Sequence, residues 1–279
     1  MGLKINVGCG SRFHRDWLNL DLHAHAPEVV ACDLTKGIPV ADGEADVVYA
    51  AAVLEHIRPR DVSGFLAECR RALRPGGVLR LAVPDLEQQA QFYLDSLARI
   101  DQGAPAAPSD REWMVLEMLD QSTREATGGE MLRFLMQKEI PNQEFIFKRI
   151  GVEGVDLINQ ISTWKHEINP HRKKPCLYDM VPLGRIGRAL LKWLLHSKNL
   201  EQDLRALEIG RFRLNSGEVH QWAYDRYSLA KILLDAGFTD PKKCAHGESW
   251  IPDWKSFHLE VTLEGAVEKP DLLVMEAIK

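Results

Sequence analysis

Long hydrophobic runs are missing from this 279-residue sequence: no uninterrupted apolar stretch approaches the roughly 18 residues that cross a bilayer. A CxxC pair is missing too. The five cysteines, Cys9, Cys32, Cys69, Cys176 and Cys244, are odd in number and widely spaced, which excludes a disulfide framework or cysteine zinc site as a reading and fits reduced thiols. Excess positive charge is absent: 35 Lys and Arg against 40 Asp and Glu leave a net charge of −5, so no nucleic-acid partner is expected. The start runs straight into an apolar strand pattern without a basic leader and cleavage site, and a cytoplasmic protein is expected. What remains is ordinary globular composition, 45% hydrophobic and 27% charged, enough for one large domain or one domain with a sizeable insertion.

Short apolar runs at Lys4–Val7, Trp17–Leu22, Val29–Cys32, Asp46–Ala50 and Val78–Val83 read as buried strands. Between the fourth and fifth, Val62, Phe65, Leu66, Cys69 and Leu73 repeat at helical spacing until Pro75, Gly76 and Gly77 stop the helix. Strands alternating with helices or loops imply a mostly parallel sheet. From about Leu86 to Leu214 the pattern turns helical, and sheet signals then resume with a helix at Tyr227–Ala236 and strands at Lys243–His246 and Leu272–Ile278. The expected organisation is therefore a domain split into 1–87 and 218–279 by a helical insertion at 88–217, serving as acceptor lid or partner surface.

Gly8-Cys9-Gly10 follows the first strand, and two glycines let a backbone turn tightly against a ligand. Asp21 and Asp33 end the next two strands on the edge where doubly wound sheets bind ligands, and a carboxylate there can accept from both hydroxyls of a ribose. The third glycine of a dinucleotide fingerprint and a phosphate-loop lysine are both lacking, so a nucleoside-type ligand without a pyrophosphate fits better.

Four pieces agree in order and spacing over Lys4 to Glu87: Ile5-Asn-Val-Gly-Cys-Gly10, Ile38-Pro-Val-Ala-Asp-Gly-Glu-Ala-Asp-Val-Val48, Val53-Leu-Glu-His56 and Leu73-Arg-Pro-Gly-Gly-Val-Leu-Arg80. Together they resemble the class I S-adenosylmethionine-dependent methyltransferases with a type 11 domain. Tyr224-Asp-Arg-Tyr-Ser-Leu229, Leu233–Phe238 and Lys269-Pro-Asp-Leu-Leu-Val-Met-Glu276 are similar to a bacterial subgroup associated with surface-polysaccharide synthesis. The resemblance implies a Rossmann-like α/β fold of seven strands with the last antiparallel, and S-adenosylmethionine as cofactor. It places Gly8 and Gly10 against the methionine portion, Asp21 on the ribose, and Asp33 and Leu34 near the adenine, with Cys9, Arg12 and Ala51 as further cofactor-binding residues. One departure stands out: only ten residues separate Gly10 from Asp21, too few for a full helix, and Ser11, Arg12 or His14 would then contact the cofactor.

Methyl transfer is an in-line displacement in which positioning carries much of the rate, and a hydroxyl acceptor gains from a base. His56, Asp85 and His220 are the candidate catalytic residues. Each has a plainer use: His56 could order the loop before Arg58 and Pro59, and Asp85 could cap a helix, with Gln88 three residues on. His220, Trp222 and Tyr224 alternate along an extended stretch, where Trp222 is expected to pack in the core. Glu248, near Trp250 and Trp254, either closes the acceptor pocket or is solvated. His166, Glu167 and His171 lack metal-ligand spacing, so no metal is expected.

The leading expectation is O-methylation of a sugar hydroxyl in a surface polysaccharide or its precursor. The alternatives are methylation of a small aromatic or lipid metabolite, a non-catalytic cofactor-binding partner of a glycosyltransferase complex, and a nicotinamide oxidoreductase. Residues 183–198 form a basic amphipathic pattern, read as a solvated domain helix, a peripheral contact with an anionic membrane, or a homodimer interface.

Overall fold

The computed structural model describes residues 2–167 and 198–279. Seven strands, β1 (Leu3–Val7), β2 (Leu18–Asp21), β3 (Val29–Ala31), β4 (Ala45–Ala51), β5 (Leu73–Pro84), β6 (Thr239–Cys244) and β7 (Leu272–Ile278), form one sheet in the order β3-β2-β1-β4-β5-β7-β6. The first five run parallel, and β7 is antiparallel to both β5 and β6. This is the Rossmann-like arrangement expected from the sequence, with order reversing beside β1. The expected strand at Lys243–His246 begins earlier, at Thr239, because Thr239 and Lys242 already pair with β7 across a bulge.

Side chains alternate across the sheet, and its two faces are closed differently. On one face Ile5, Val7, Val48, Ala50, Leu79, Leu81, Leu273 and Met275 meet two helices. Helix α1 (Val62–Ala72) contributes Val62, Phe65, Leu66 and Cys69 of the stripe visible in the sequence; Leu73, expected in that helix, is instead the first residue of β5, which also takes in Pro75, Gly76 and Gly77. Each large aliphatic side chain buried this way stabilises the fold by about 1.5–3 kcal/mol. Leu229 and Leu233 come from the helix Arg226–Asp235, which begins with a capping box between Asp225 and Ser228.

The opposite face has no helix between β1 and β2. The chain crosses from Gly8 to Trp17 as a loop, pinned by the buried amides of Asn6 and Asn19. Asn6 Nδ2 donates to the Arg12 carbonyl at 2.9 Å, and Asn19 Nδ2 to the His14 and Trp17 carbonyls at 2.9 and 3.0 Å. The area a helix would cover is filled by Trp17, Tyr49, Ile251, Trp254, Phe257 and Leu259. Arg80 of β5 points into this layer, fully buried, 2.6 Å from Glu260 and 2.7 Å from Glu276, with its guanidinium 4.3 Å from the Trp254 ring centroid.

Between β5 and β6 the chain makes helices α2 (Leu86–Asp101), α3 (Ala107–Thr123), α4 (Gly129–Leu135), α5 (Gln143–Glu167) and α6 (Lys198–Asn215). The helix at Arg226–Asp235 is then α7. Trp113, Met114, Phe134, Leu135 and Ile146 give the insertion a core of its own. Helix α5 kinks at Gly151, where φ is +64° and a Cβ would lie 2.4 Å from the Glu268 carbonyl oxygen; only glycine permits that approach. The amphipathic pattern at 183–198 lies outside the described residues except for Lys198, as do His171 and the adjoining prolines. Among the described residues, no helix is long and apolar enough to cross a membrane.

Candidate active site

The left-handed conformations at Gly8 (φ +63°) and Gly10 (φ +50°) turn the chain sharply as it leaves β1. A Cβ on Gly8 would lie 2.4 Å from a methyl of Val53, whereas one on Gly10 would meet nothing within 4 Å. Gly8 is thus required by packing, and Gly10 faces open space. Asp21, at the end of β2, accepts a 2.8 Å hydrogen bond from the Gly10 amide through Oδ2. The acid and the bend are in direct contact.

A cleft of about 210 Å³ opens at this bend, lined by Gly8, Cys9, Gly10 and Arg12 on one side and Ala51 and Ala52 on another. Its far wall is Glu260, Glu268 and Lys269, residues that sequence reasoning did not single out. Arg12 reaches across the cleft to Glu268 at 2.6 Å. Burial, aided by the charge of Asp21, pushes the Cys9 thiol up to about 11, so it is a neutral lining group. Ser11 also lines the cleft, while His14 turns away and stacks edge-on against Phe257 at 5.3 Å between ring centroids. Asp33 and Leu34 stand farther along the sheet edge: Asp33 lies 3.2 Å from Lys36, and Leu34 packs on the aliphatic core.

Past Ala51, the chain adopts a left-handed conformation at Ala52 (φ +52°) and enters a 3-10 turn at Leu54–His56. His56 Nδ1 lies 3.3 Å from the Val219 carbonyl, and its ring meets that of His220 edge-on at 4.8 Å. The Glu55 carbonyl accepts from the Gln221 amide at 2.6 Å, which fixes the 219–222 stretch against the turn. Glu55 itself is 1% exposed, with no hydrogen-bond partner for either carboxylate oxygen. Burial pushes its carboxyl up to about 8; burial also lowers both imidazoles, His220 to about 3 with His56 adding to the effect. At neutral pH this is a protonated acid beside two neutral imidazoles. Sequence reading named His56 and His220 separately; the fold makes them one group and adds Glu55, whose signal was only its place within Val53-Leu-Glu-His56.

Asp85 stands apart from this group. It caps α2, accepting from the Gln88 amide at 3.1 Å, and lies 3.2 Å from Lys243 Nζ. Tyr224 is buried and bridges to Asp85, but Trp222 is 54% exposed, not a core residue as expected. The stretch anchors through Tyr224 and its backbone, which leaves the indole in solvent. Glu248 is exposed, and its carbonyl accepts from Arg80 at 2.8 Å.

The topology is that of a doubly wound α/β sheet, with the cleft at the edge where its strand order reverses. Residues 5–81, from β1 into β5, match the family described as "Methyltransferase domain". No curated protein sequence matches the chain. Among solved structures, a didemethyltoxoflavin N1-methyltransferase from Burkholderia thailandensis, holding S-adenosylhomocysteine, is 21% identical over 30% of this chain and 45% of its own, with a TM-score of 0.26. A possible histamine N-methyltransferase from Thermotoga maritima is 10% identical over 100% of this chain and 83% of its own, at 0.37. A phosphoethanolamine N-methyltransferase from Haemonchus contortus with bound S-adenosyl-L-methionine is 15% identical over 60% and 45%, at 0.25. These likenesses are distant and say nothing about the acceptor.

Proposed function

We propose that the chain is an S-adenosylmethionine-dependent methyltransferase acting on a sugar hydroxyl of a surface polysaccharide or its precursor. The cofactor supplies a methyl group activated on a sulfonium. The residues at the bend suit it: Gly10 leaves room for close approach of a ligand, and Asp21 Oδ1, which accepts from the His23 amide at 3.4 Å, has capacity left for ribose hydroxyls while Oδ2 holds Gly10. Asp33 and Leu34 extend the same edge toward an adenine. The observation that carries this reading is the bond between Gly10 and Asp21, which joins the bend and the acid into one binding surface.

The acceptor enters beside the Glu55–His56–His220 group, which follows the cleft-lining Ala51 and Ala52 along the chain. Arg12 and Glu268 span the cleft and restrict the entry of water to it. The exposed indole of Trp222, two residues beyond His220, favours a sugar: a flat apolar face suits a pyranose ring, and polar groups beside it suit the hydroxyls. Incubation with methyl-labelled cofactor and a panel of nucleotide sugars and glycan fragments tests the acceptor. Label is expected in a sugar; label confined to aromatic or lipid acceptors would replace this assignment. The basic stretch at 183–198 is proposed to hold the enzyme against an anionic membrane, and failure to float with anionic vesicles at low salt would end that part.

A further inference from the structure

A carboxylate with no partner is costly to bury, and Glu55 leaves both oxygens unsatisfied at 1% exposure. Such a group needs an explanation in what it faces. It faces two imidazoles: one ligand atom from each of Glu55, His56 and His220 lies within 4.8 Å of the others, and His56 Nε2 is 4.0 Å from Glu55 Oε1. We propose that Glu55, His56 and His220 form a binding site for one divalent transition-metal ion, zinc in the first instance. The inference rests on the methyltransferase reading only for its use, not for its chemistry.

Two imidazole nitrogens and one carboxylate oxygen make a donor set that suits zinc and leaves a fourth position open. In tetrahedral zinc with bonds of about 2.0–2.1 Å, ligand atoms sit roughly 3.4 Å apart. Closing from the present spacing needs side-chain shifts of about 1 Å. The support around the site matches what a metal-binding histidine requires. His56 turns Nδ1 to the Val219 carbonyl at 3.3 Å, which leaves Nε2 toward Glu55. The His220 and Gln221 amides are tied to the Gln121 and Glu55 carbonyls at 3.0 and 2.6 Å, so the loop bearing the third ligand has little freedom. Glu55 is buried while the His56 side chain is 25% exposed, so the group is closed behind and open in front. Lys269 and Arg124 add positive charge around the group and oppose an ion, while Glu218 near His56 acts the other way. The balance makes moderate affinity the expectation, not a permanently loaded site.

In use, an ion there would take the acceptor hydroxyl in its open position and make it more acidic. That would give the enzyme an acceptor-selective step independent of the cofactor cleft.

The test is equilibrium dialysis of the metal-stripped full chain against zinc chloride, with metal counted by mass spectrometry and folding followed by circular dichroism. One zinc per chain is expected, with affinity at least tenfold weaker in Glu55→Gln and in His220→Gln, and unchanged in Asp21→Ala. Glu55→Gln keeps the shape of the buried side chain, so it reports on the ligand if His220→Gln fails to fold. Zinc binding by wild type that neither variant weakens, or no zinc retained at all, would overturn the proposal. Calorimetry with S-adenosylmethionine on the same samples separates the two ideas: cofactor binding without zinc removes only the metal site, and zinc without cofactor removes the methyltransferase reading.

Discussion

The two faces of the sheet are closed by opposite means. One is aliphatic, covered by α1 and α7, and its contacts come from regular elements. The other is aromatic and ionic, covered by the irregular segment at 245–262, with Arg80 buried at its centre. The difference follows from the short span between Gly10 and Asp21: without a helix there, the sheet needs another cover, and the C-terminal segment supplies it. That cover also provides Glu260 to the cleft, so the substitute for a helix is part of the site.

Breaking the ionic face should have the largest effect. Arg80→Ala leaves Glu260 and Glu276 buried without their partner, and urea unfolding should show a loss of about 4 kcal/mol. A loss below about 1 kcal/mol would mean the network relaxes to water and is no structural centre. On the aliphatic face, Leu66→Ala should cost about 3 kcal/mol by the same measurement, from lost burial plus a cavity. Combining the two should give nearly the sum, since they lie on opposite sides; strong non-additivity would join the faces into one unit.

Smaller effects come from the helix start and from pH. Asp225→Ala removes the carboxylate that accepts from the Ser228 amide at 2.7 Å, and should lower stability by about 1 kcal/mol. The Ser228 hydrogen bonds hold Asp225 below the ordinary carboxylate range, and Arg74 does the same for Asp46. Both carboxylates therefore stabilise the fold above the usual value of about 3.9, and that contribution fades as pH falls through their lower folded values. Acid titration followed by circular dichroism should show a shallower loss in Asp225→Ala than in wild type.

The parts governed by local rules were legible in the sequence. The stripe of α1 from Val62 to Cys69 and the acid ending β2 appear where they were expected, whereas Pro75, Gly76 and Gly77 lie within β5 and Asp33 stands two residues beyond β3. Asp85 and Gln88 signalled a cap, and Asp85 is one. What could not be read were contacts between distant segments. Arg80 looks like a break in a strand until Glu260 and Glu276, 180 and 196 residues away, are seen around it. Trp222 alternates with His220 and Tyr224 as a core residue would, yet His220 packs on His56 and Tyr224 in the core while Trp222 stays exposed. Glu55 gave no sign of its burial, because that depends on the 219–222 stretch folding back over the turn.

The central claim is that the glycine bend and Asp21 form one cofactor surface. Titration calorimetry of wild type and Asp21→Ala with S-adenosylmethionine tests it most directly. Wild type should bind, and the variant should bind at least tenfold more weakly with its fold intact; equal affinity in the two proteins would contradict the account.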